Sequence, residues 1–186
     1  MRSKIKNILD FWFIETSAEQ KFKKDPKFDQ IIKDRFLNDY ELARQNKLDD
    51  WQDTDRGCLA LIILLDQFSR NLFRESEKAF EQDVKARSVL HKIIEHNFLD
   101  SMNESEKLFA LLPLIHSENI LDHEKAYVLM EKYLKNHLEF EKIKKFWIDH
   151  TAAIKKFNRY PHRNKVLNRV SSNAEIEFLK YPNSSW

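Results

Sequence analysis

The sequence predicts an all-α fold of about eight helices in antiparallel pairs around one buried central helix. Three observations predict it. Glycine is almost absent, one residue beside four prolines in 186, whereas sheets with tight hairpins need turns rich in Gly, Asn and Asp. One stretch, Arg56 to Arg74, holds the longest apolar run, Cys58 to Leu65, then turns abruptly polar. Elsewhere apolar residues recur at three- and four-residue spacing, the period of a helix face.

An eight-residue apolar run alone fits a buried strand as well as a helix. The flanks decide for helix. Thr54 or Asp53 offers a side-chain oxygen to cap free first-turn amides, Leu, Ala, Arg and Gln favour helix, and no neighbouring strand is offered for pairing. A helix apolar on every side must be covered on every side. At its end Asp66 and Arg70 share a face, acid nearer the N-terminus, as favourable pairs prefer. Gln67, Asn71 and Arg74 share the next face. A solvated helix end would explain this with one salt bridge worth about 0.3–0.5 kcal/mol. A partly buried cluster would instead lock loops or hold a ligand, because buried charges need partners.

The other elements follow in order. Ile5, Ile8, Leu9, Trp12 and Phe13 line a first amphipathic helix with Ser3 as cap. The polar, basic segment from Thr16 to Lys24 is expected to be a loop. Asp25-Pro26 starts a helix to about Arg44, since Pro at the first position loses no bond; Phe28, Ile31, Ile32, Phe36 and Tyr40 face inward. Asn46 to Asp53 connects, pinned by Leu48 and Trp51. After the central helix, Ser76 opens a helix with Phe80, Val84, Leu90, Ile93 and Ile94 inward, and Asn97 stops it. Ser101 with Glu104 reads as a capping box for a short helix that Pro113 breaks. Helices then run from about Asp122 to His137 and Glu139 to Phe157. Residues 158–170 are irregular around Pro161. Ser172 with Glu175 caps a last helix on which Ile176, Phe178 and Leu179 dock, and the tail is expected to fray, with Trp186 as a docking residue.

The length suits one all-helical domain, residues 1–186, or two small helical halves sharing a core. A net charge of +2 among 62 charged residues supports no bulk polyelectrolyte role. One cysteine excludes an internal disulfide and fits a reducing compartment. The N-terminus lacks a signal-peptide pattern, and no segment reaches the roughly 20 apolar residues of a membrane span. The expectation is a cytoplasmic protein without membrane association. No internal repeat of about 34 residues is visible.

Four further features bear on chemistry. Lys155 to Arg169 contains no acid, and Lys155, Lys156, Arg159, Arg163, Lys165 and Arg169 concentrate charge around Phe157, Tyr160 and His162. Such Arg forks suit phosphate or carboxylate; as an exposed stripe they would suit nucleic acid; a solvated loop needs neither. His116-Ser117-Glu118, followed by Asp122-His123, has acid–base character, but H-E-x-x-H and P-C-x-x-C are absent. A metal held by His116, Glu118, Asp149 and His150 is the weaker alternative. His150 lies on the apolar stripe of its helix, where a histidine is ordinarily a hydrogen-bonded core residue and otherwise a general base. Cys58 sits in the most apolar run, where a thiolate is disfavoured. One glycine leaves no Gly-rich phosphate loop, and no cofactor is expected.

Four blocks together carry a resemblance. Asp10-Phe11-Trp12-Phe13, Leu64-Leu65-Asp66-Gln67-Phe68-Ser69-Arg70-Asn71, Leu112-Pro113-Leu114-Ile115-His116-Ser117-Glu118 and Phe157-Asn158-Arg159-Tyr160-Pro161-His162-Arg163-Asn164 resemble, in order, the bacterial family called domain of unknown function 924. The second and fourth are the specific ones. The resemblance implies an all-helical, tetratricopeptide-like fold and carries no activity with it. The positions shared with the family are Asp66, Gln67, Arg70, Asn71, His116, Ser117, Glu118, Arg159, His162, Arg163 and Asn164. The family usually has Pro at position 69, where this chain has Ser, and Gly at 158 and 168, where it has Asn, which tolerates a left-handed backbone.

The leading functional expectation is a pocket for a small anionic ligand, phosphate or carboxylate, between the end of the central helix and residues 159–164. Asp66, Gln67, Arg70, Asn71, Arg159, Arg163 and Asn164 would bind it. His116, Glu118 and His162 would supply acid–base chemistry in a hydrolase or transferase. The alternatives are a protein- or peptide-binding helical module, by analogy of fold, and nucleic-acid binding through residues 155–169.

Overall fold

The computed structural model describes residues 2–182, 184 and 185, and these contain helices and turns but no strand. The fold is all-helical, as the glycine content predicts. The chain forms two compact units, residues 1–113 and 114–186.

In the first unit the central stretch is one helical run. It comprises α4 (Asp55–Ile62), a π-helical turn (Ile63–Phe68) and α5 (Ser69–Leu72). Thr54 caps it, its hydroxyl accepting from the Gly57 amide at 3.1 Å. Every residue from Cys58 to Leu65 is 0% exposed. The cover is supplied by α1 (Arg2–Asp10), α3 (Pro26–Arg44), α6 (Asp83–Glu95) and the 3-10 turn Asp49–Asp53. Phe68 anchors an aromatic cluster, with ring centroids 5.6 Å from Trp12, 4.9 Å from Phe36 and 5.9 Å from Phe11. Such pairs add about 0.5–1.5 kcal/mol each beyond buried area. The chain's one glycine, Gly57, sits where the helix meets Trp51: a Cβ there would run into the Trp51 carbonyl.

Several expectations are corrected in this unit. α1 gives way to a π-helical turn, Phe11–Glu15, that buries Phe11 with Trp12 and leaves Phe13 half-buried. The segment 16–24 holds a short helix, α2 (Ala18–Phe22), capped by a reciprocal Ser17–Gln20 box that polar composition disguised. Val84 points outward at 68% exposure, and Asp83 is buried in its place. The box opening α7 (Glu104–Ile115) pairs Asn103 with Glu106; the Ser101 hydroxyl instead meets Asp55 and the Phe98 carbonyl. Pro113 lies inside α7 rather than ending it. Its ring fixes a helical φ, and the residues around it, Leu111 to Ile115, are buried, so packing outweighs the lost amide.

In the second unit, α8 (Ile120–Tyr133) packs on α9 (Phe140–Phe157). α8 starts at Ile120, after the Asn119 cap and two residues before the expected Asp122. α9 ends at Asn158 with φ 54°, and Asn168 has φ 53°. Both are left-handed, at the two positions where the resembled family usually has glycine. Ala153, Ile154 and Tyr160 form a buried cluster with Ile120 and Phe178 against it. The Ser172–Glu175 box caps α10 (Asn173–Phe178). Phe178 docks, but Ile176 is 49% exposed because the buried position goes to Glu175. In the tail Ser184 is buried and donates to the Leu179 carbonyl, while Trp186 lies outside the described residues.

Candidate functional site

The polar end of the central helix forms a dense network within the first unit. Asp66 is fully buried. Gln67 Nε2 donates to its Oδ2 at 2.5 Å, and Arg70 Nη2 lies 3.6 Å from its Oδ1. Arg70 also donates to Asp83 Oδ1 at 2.7 Å and to the Ala79 carbonyl, with its guanidinium 4.6 Å over the Phe80 ring. Asn71 belongs to a neighbouring group: its amide donates to Asp29 at 2.8 Å, and Arg74 pairs with the same carboxylate. Asp66, Gln67 and Arg70 therefore meet, whereas Asn71 turns to α3. Asp83 and Asp29 gave no signal in the sequence beyond being acids near helix starts.

In the second unit, residues 158–169 are pinned by two carboxylates. Glu118 accepts the Tyr160 amide at 2.8 Å and two Arg169 bonds at 2.6 and 3.0 Å. Burial works against its charge, but the Arg169 and Tyr160 hydrogen bonds outweigh that and hold its pKa below the usual carboxylate value. Glu175 accepts Arg159 through Nε and Nη2 at 2.6 and 2.8 Å. Asn164 Nδ2 reaches the same carboxylate at 3.3 Å and Ser171 at 3.0 Å. The Arg159 bonds above all keep Glu175 ionised. Asn164 Oδ1 is buried without a hydrogen-bond partner.

Of the basic stretch, Arg159 and Arg169 are thus ion-paired, Arg163 is buried, and Lys155, Lys156 and Lys165 stay exposed. The stretch is not a continuous positive stripe.

Tyr160 is the hub of what remains. Its hydroxyl donates to the Ile115 carbonyl. The Arg163 guanidinium, on a side chain only 6% exposed, stacks 4.5 Å over its ring. The rings of His162, His150 and His123 lie 5.5, 5.8 and 6.4 Å from it. His116 is close enough to bear on the charge of both His123 and His150. Expected site residues His116, His162 and Arg163 are therefore near neighbours, with His123 and Tyr160 added. Asp122-His123 was visible in the sequence, but its partners, Thr151 and the Ser117 carbonyl, lie on other segments.

Two of these imidazoles are structural. His150 Nδ1 donates to the Phe146 carbonyl at 2.8 Å. His123 Nε2 donates to the Ser117 carbonyl, and its Nδ1 lies 2.9 Å from the Thr151 hydroxyl oxygen. Burial pushes both pKa values down, that of His150 far down. Metal binding by His116, Glu118, Asp149 and His150 does not fit: Asp149 pairs with Lys145 at 2.9 Å, Glu118 with Arg169, and no group of three such ligands forms among the described residues. Cys58 is buried, its thiol pushed up to about 11 by burial.

The buried histidines give a pH dependence with a definite sign. Both have folded pKa values lowered by burial from the 6.5 that the unfolded chain regains. The unfolded chain then binds more protons, so stability is full above that value and falls as pH drops below it. The expected slope approaches about 1.4 kcal/mol per pH unit from His150, with His123 adding in the same direction. Urea unfolding between about pH 7.5 and 5 measures it; a flat profile would mean that neither imidazole stays neutral in the folded chain.

No helix among the described residues is long and apolar enough to cross a membrane. No curated protein matches the chain. A solved protein of unknown function from Agrobacterium tumefaciens is 30% identical, covering 96% of this chain and 98% of its own, with a TM-score of 0.86. The family model for bacterial proteins of unknown function 924 matches residues 8–183. With nearly its whole length matched, the chain belongs to that bacterial family.

Proposed function

We propose that the C-terminal unit binds a small anion, phosphate or carboxylate, at the cluster centred on Tyr160. The observation that carries this reading is the Arg163 guanidinium held over the Tyr160 ring with His162 and His116 near by. Arg163 is the permanent charge, and its planar fork suits either oxyanion. Asn164 orients. His116 and His162, only half-buried, are the imidazoles that would move a proton if the bound ligand reacts. Glu118, expected as a catalytic group, is better suited to fixing the backbone of Tyr160, since Arg169 keeps it ionised. In this reading Arg159 holds Glu175, and Asp66, Gln67, Arg70 and Asn71 support the first unit.

A thermal-shift series tests it. The panel is sodium phosphate, a sugar phosphate and citrate against chloride at matched ionic strength, with Arg163→Met and His162→Gln in parallel. A ligand at 100 times its Kd stabilises by about 2.7 kcal/mol, a readable rise in Tm. The expected result is a rise with one anion class in the wild type, absent in Arg163→Met and reduced in His162→Gln. No rise with any anion, or an equal rise in Arg163→Met, overturns the reading.

A further inference from the structure

The first unit contains a partly enclosed cleft of about 100 Å³ that none of the residues above occupies. It is lined by Tyr40, Glu41, Arg44, Phe73, Lys78 and Glu81. About 10–15 Å³ suffices for one water, so the space takes a molecule of several heavy atoms.

The floor is aromatic, with the Tyr40 and Phe73 rings 5.1 Å apart. The rim is charged but neutral overall, two cations and two carboxylates. Arg44 and Glu41 satisfy each other, Nε to Oε2 at 2.6 Å. The other two do not pair: among the described residues no side-chain hydrogen bond or ion pair engages the Lys78 ammonium or the Glu81 carboxylate. Lys78 Nζ stands 5.9 Å over the Phe73 ring.

Tyr40 adds a third group. It is 1% exposed, and its hydroxyl has no hydrogen-bond partner. Burial first, and the nearby Glu81 carboxylate second, push its pKa up to about 12. It therefore stays protonated and able to donate at neutral pH. Buried tyrosine hydroxyls ordinarily find a partner, and this one belongs to a side chain that forms the wall of a cleft.

We infer that the cleft binds a small zwitterion of amino-acid size. Its carboxylate is received by Lys78 and the Tyr40 hydroxyl, its ammonium by Glu81, and its short carbon skeleton lies on Phe73. The rim selects this class. A simple anion meets Glu41 and Glu81, and a simple cation meets Arg44 and Lys78. Only a ligand carrying both charges, separated, offsets the unpaired ammonium and the unpaired carboxylate together. The site shares no residue with the anion cluster of the second unit, so either reading stands or falls alone.

The test is an amide-resolved NMR titration of the full chain with glycine and β-alanine, then with acetate and methylammonium at matched ionic strength. One zwitterion should give saturable shifts at residues 40–44 and 73–81. Each single-charge probe should bind at least about tenfold more weakly, having lost one charge-assisted contact. Tyr40→Phe removes only an unpaired hydroxyl, so its melting temperature should hold while zwitterion affinity falls about fivefold or more. Lys78→Met should weaken binding similarly. Absence of saturable shifts with either zwitterion, equal binding of acetate, or unchanged affinity in Tyr40→Phe overturns the inference.

Discussion

Replacing Arg70 with methionine should lower the free energy of unfolding by about 3 kcal/mol, the lower end of what breaking a buried ion pair costs. The side chain is partly exposed, 22%, but the carboxylates it serves are not: Asp66 is at 0% and Asp83 at 10%. Methionine keeps the length and the contact with Phe80 while removing every donor. Asp83 then loses a bond of 2.7 Å, and Asp66 keeps Gln67 but loses its nearby cation. The cost is that of buried carboxylates stripped of one cation, not of lost area. Urea unfolding at neutral pH measures it. Lysine at this position should recover part of the loss, since it restores charge without the fork. A loss below about 1 kcal/mol would mean that water reaches both acids and that the network is a surface feature.

Gly57→Ala should destabilise by about 2–4 kcal/mol, against the direction of helix propensity. In an unconstrained helix this change gains about 1 kcal/mol. Here the new Cβ would overlap the Trp51 carbonyl and crowd the Thr54 hydroxyl, which caps the helix. The obstacle is backbone, so relief requires moving the Asp49–Asp53 turn and the buried Trp51 with it. Overpacking of this kind costs about 1–3 kcal/mol even when side chains yield, and the cap is at risk besides. Denaturant unfolding decides the sign: a more stable variant would show that the turn yields at little cost.

Much of the helix pattern is legible because it is written locally. Asp25-Pro26, Thr54 and the Ser172–Glu175 box mark helix starts through atoms two or three residues away. The inward face of α3 follows from spacing at Phe28, Ile32, Phe36 and Tyr40, but not at Ile31, which is 43% exposed. What escaped is either non-local or masked. The partners of the charged blocks, Asp83 for Arg70, Glu175 for Arg159 and Glu118 for Arg169, are 13, 16 and 51 residues away in sequence. No pattern of spacing ranks one acid over another at such separations. α2 was hidden because a short polar helix has no apolar face, and its capping box ends in Gln20 rather than an acid. The π-helical turn was hidden for the opposite reason: with every side of Cys58–Leu65 apolar, nothing marks a change of phase. The candidate site was legible as residue types in blocks 112–118 and 157–164. The role of Tyr160 as their hub was not, since it depends on where the turn around Pro161 carries the ring.

That hidden change of phase makes residue number, as well as residue type, part of the design of the central helix. The π-helical turn Ile63–Phe68 bonds each amide one residue further back than an α-helix does. It thereby absorbs one residue between the capped start at Thr54 and the polar end at Arg70. A chain shorter by one apolar residue there could close up as regular α-helix, its hydrophobic content nearly intact and its polar end still in phase. The same residues wound as regular α-helix would instead turn everything beyond by about 100° about the axis and carry it on by about 1.5 Å. Arg70 would leave Asp83 and Ala79, and Asn71 would leave Asp29. One aliphatic residue can therefore replace another along 58–65 far more readily than a further residue can be added, because the wide turn has already absorbed one.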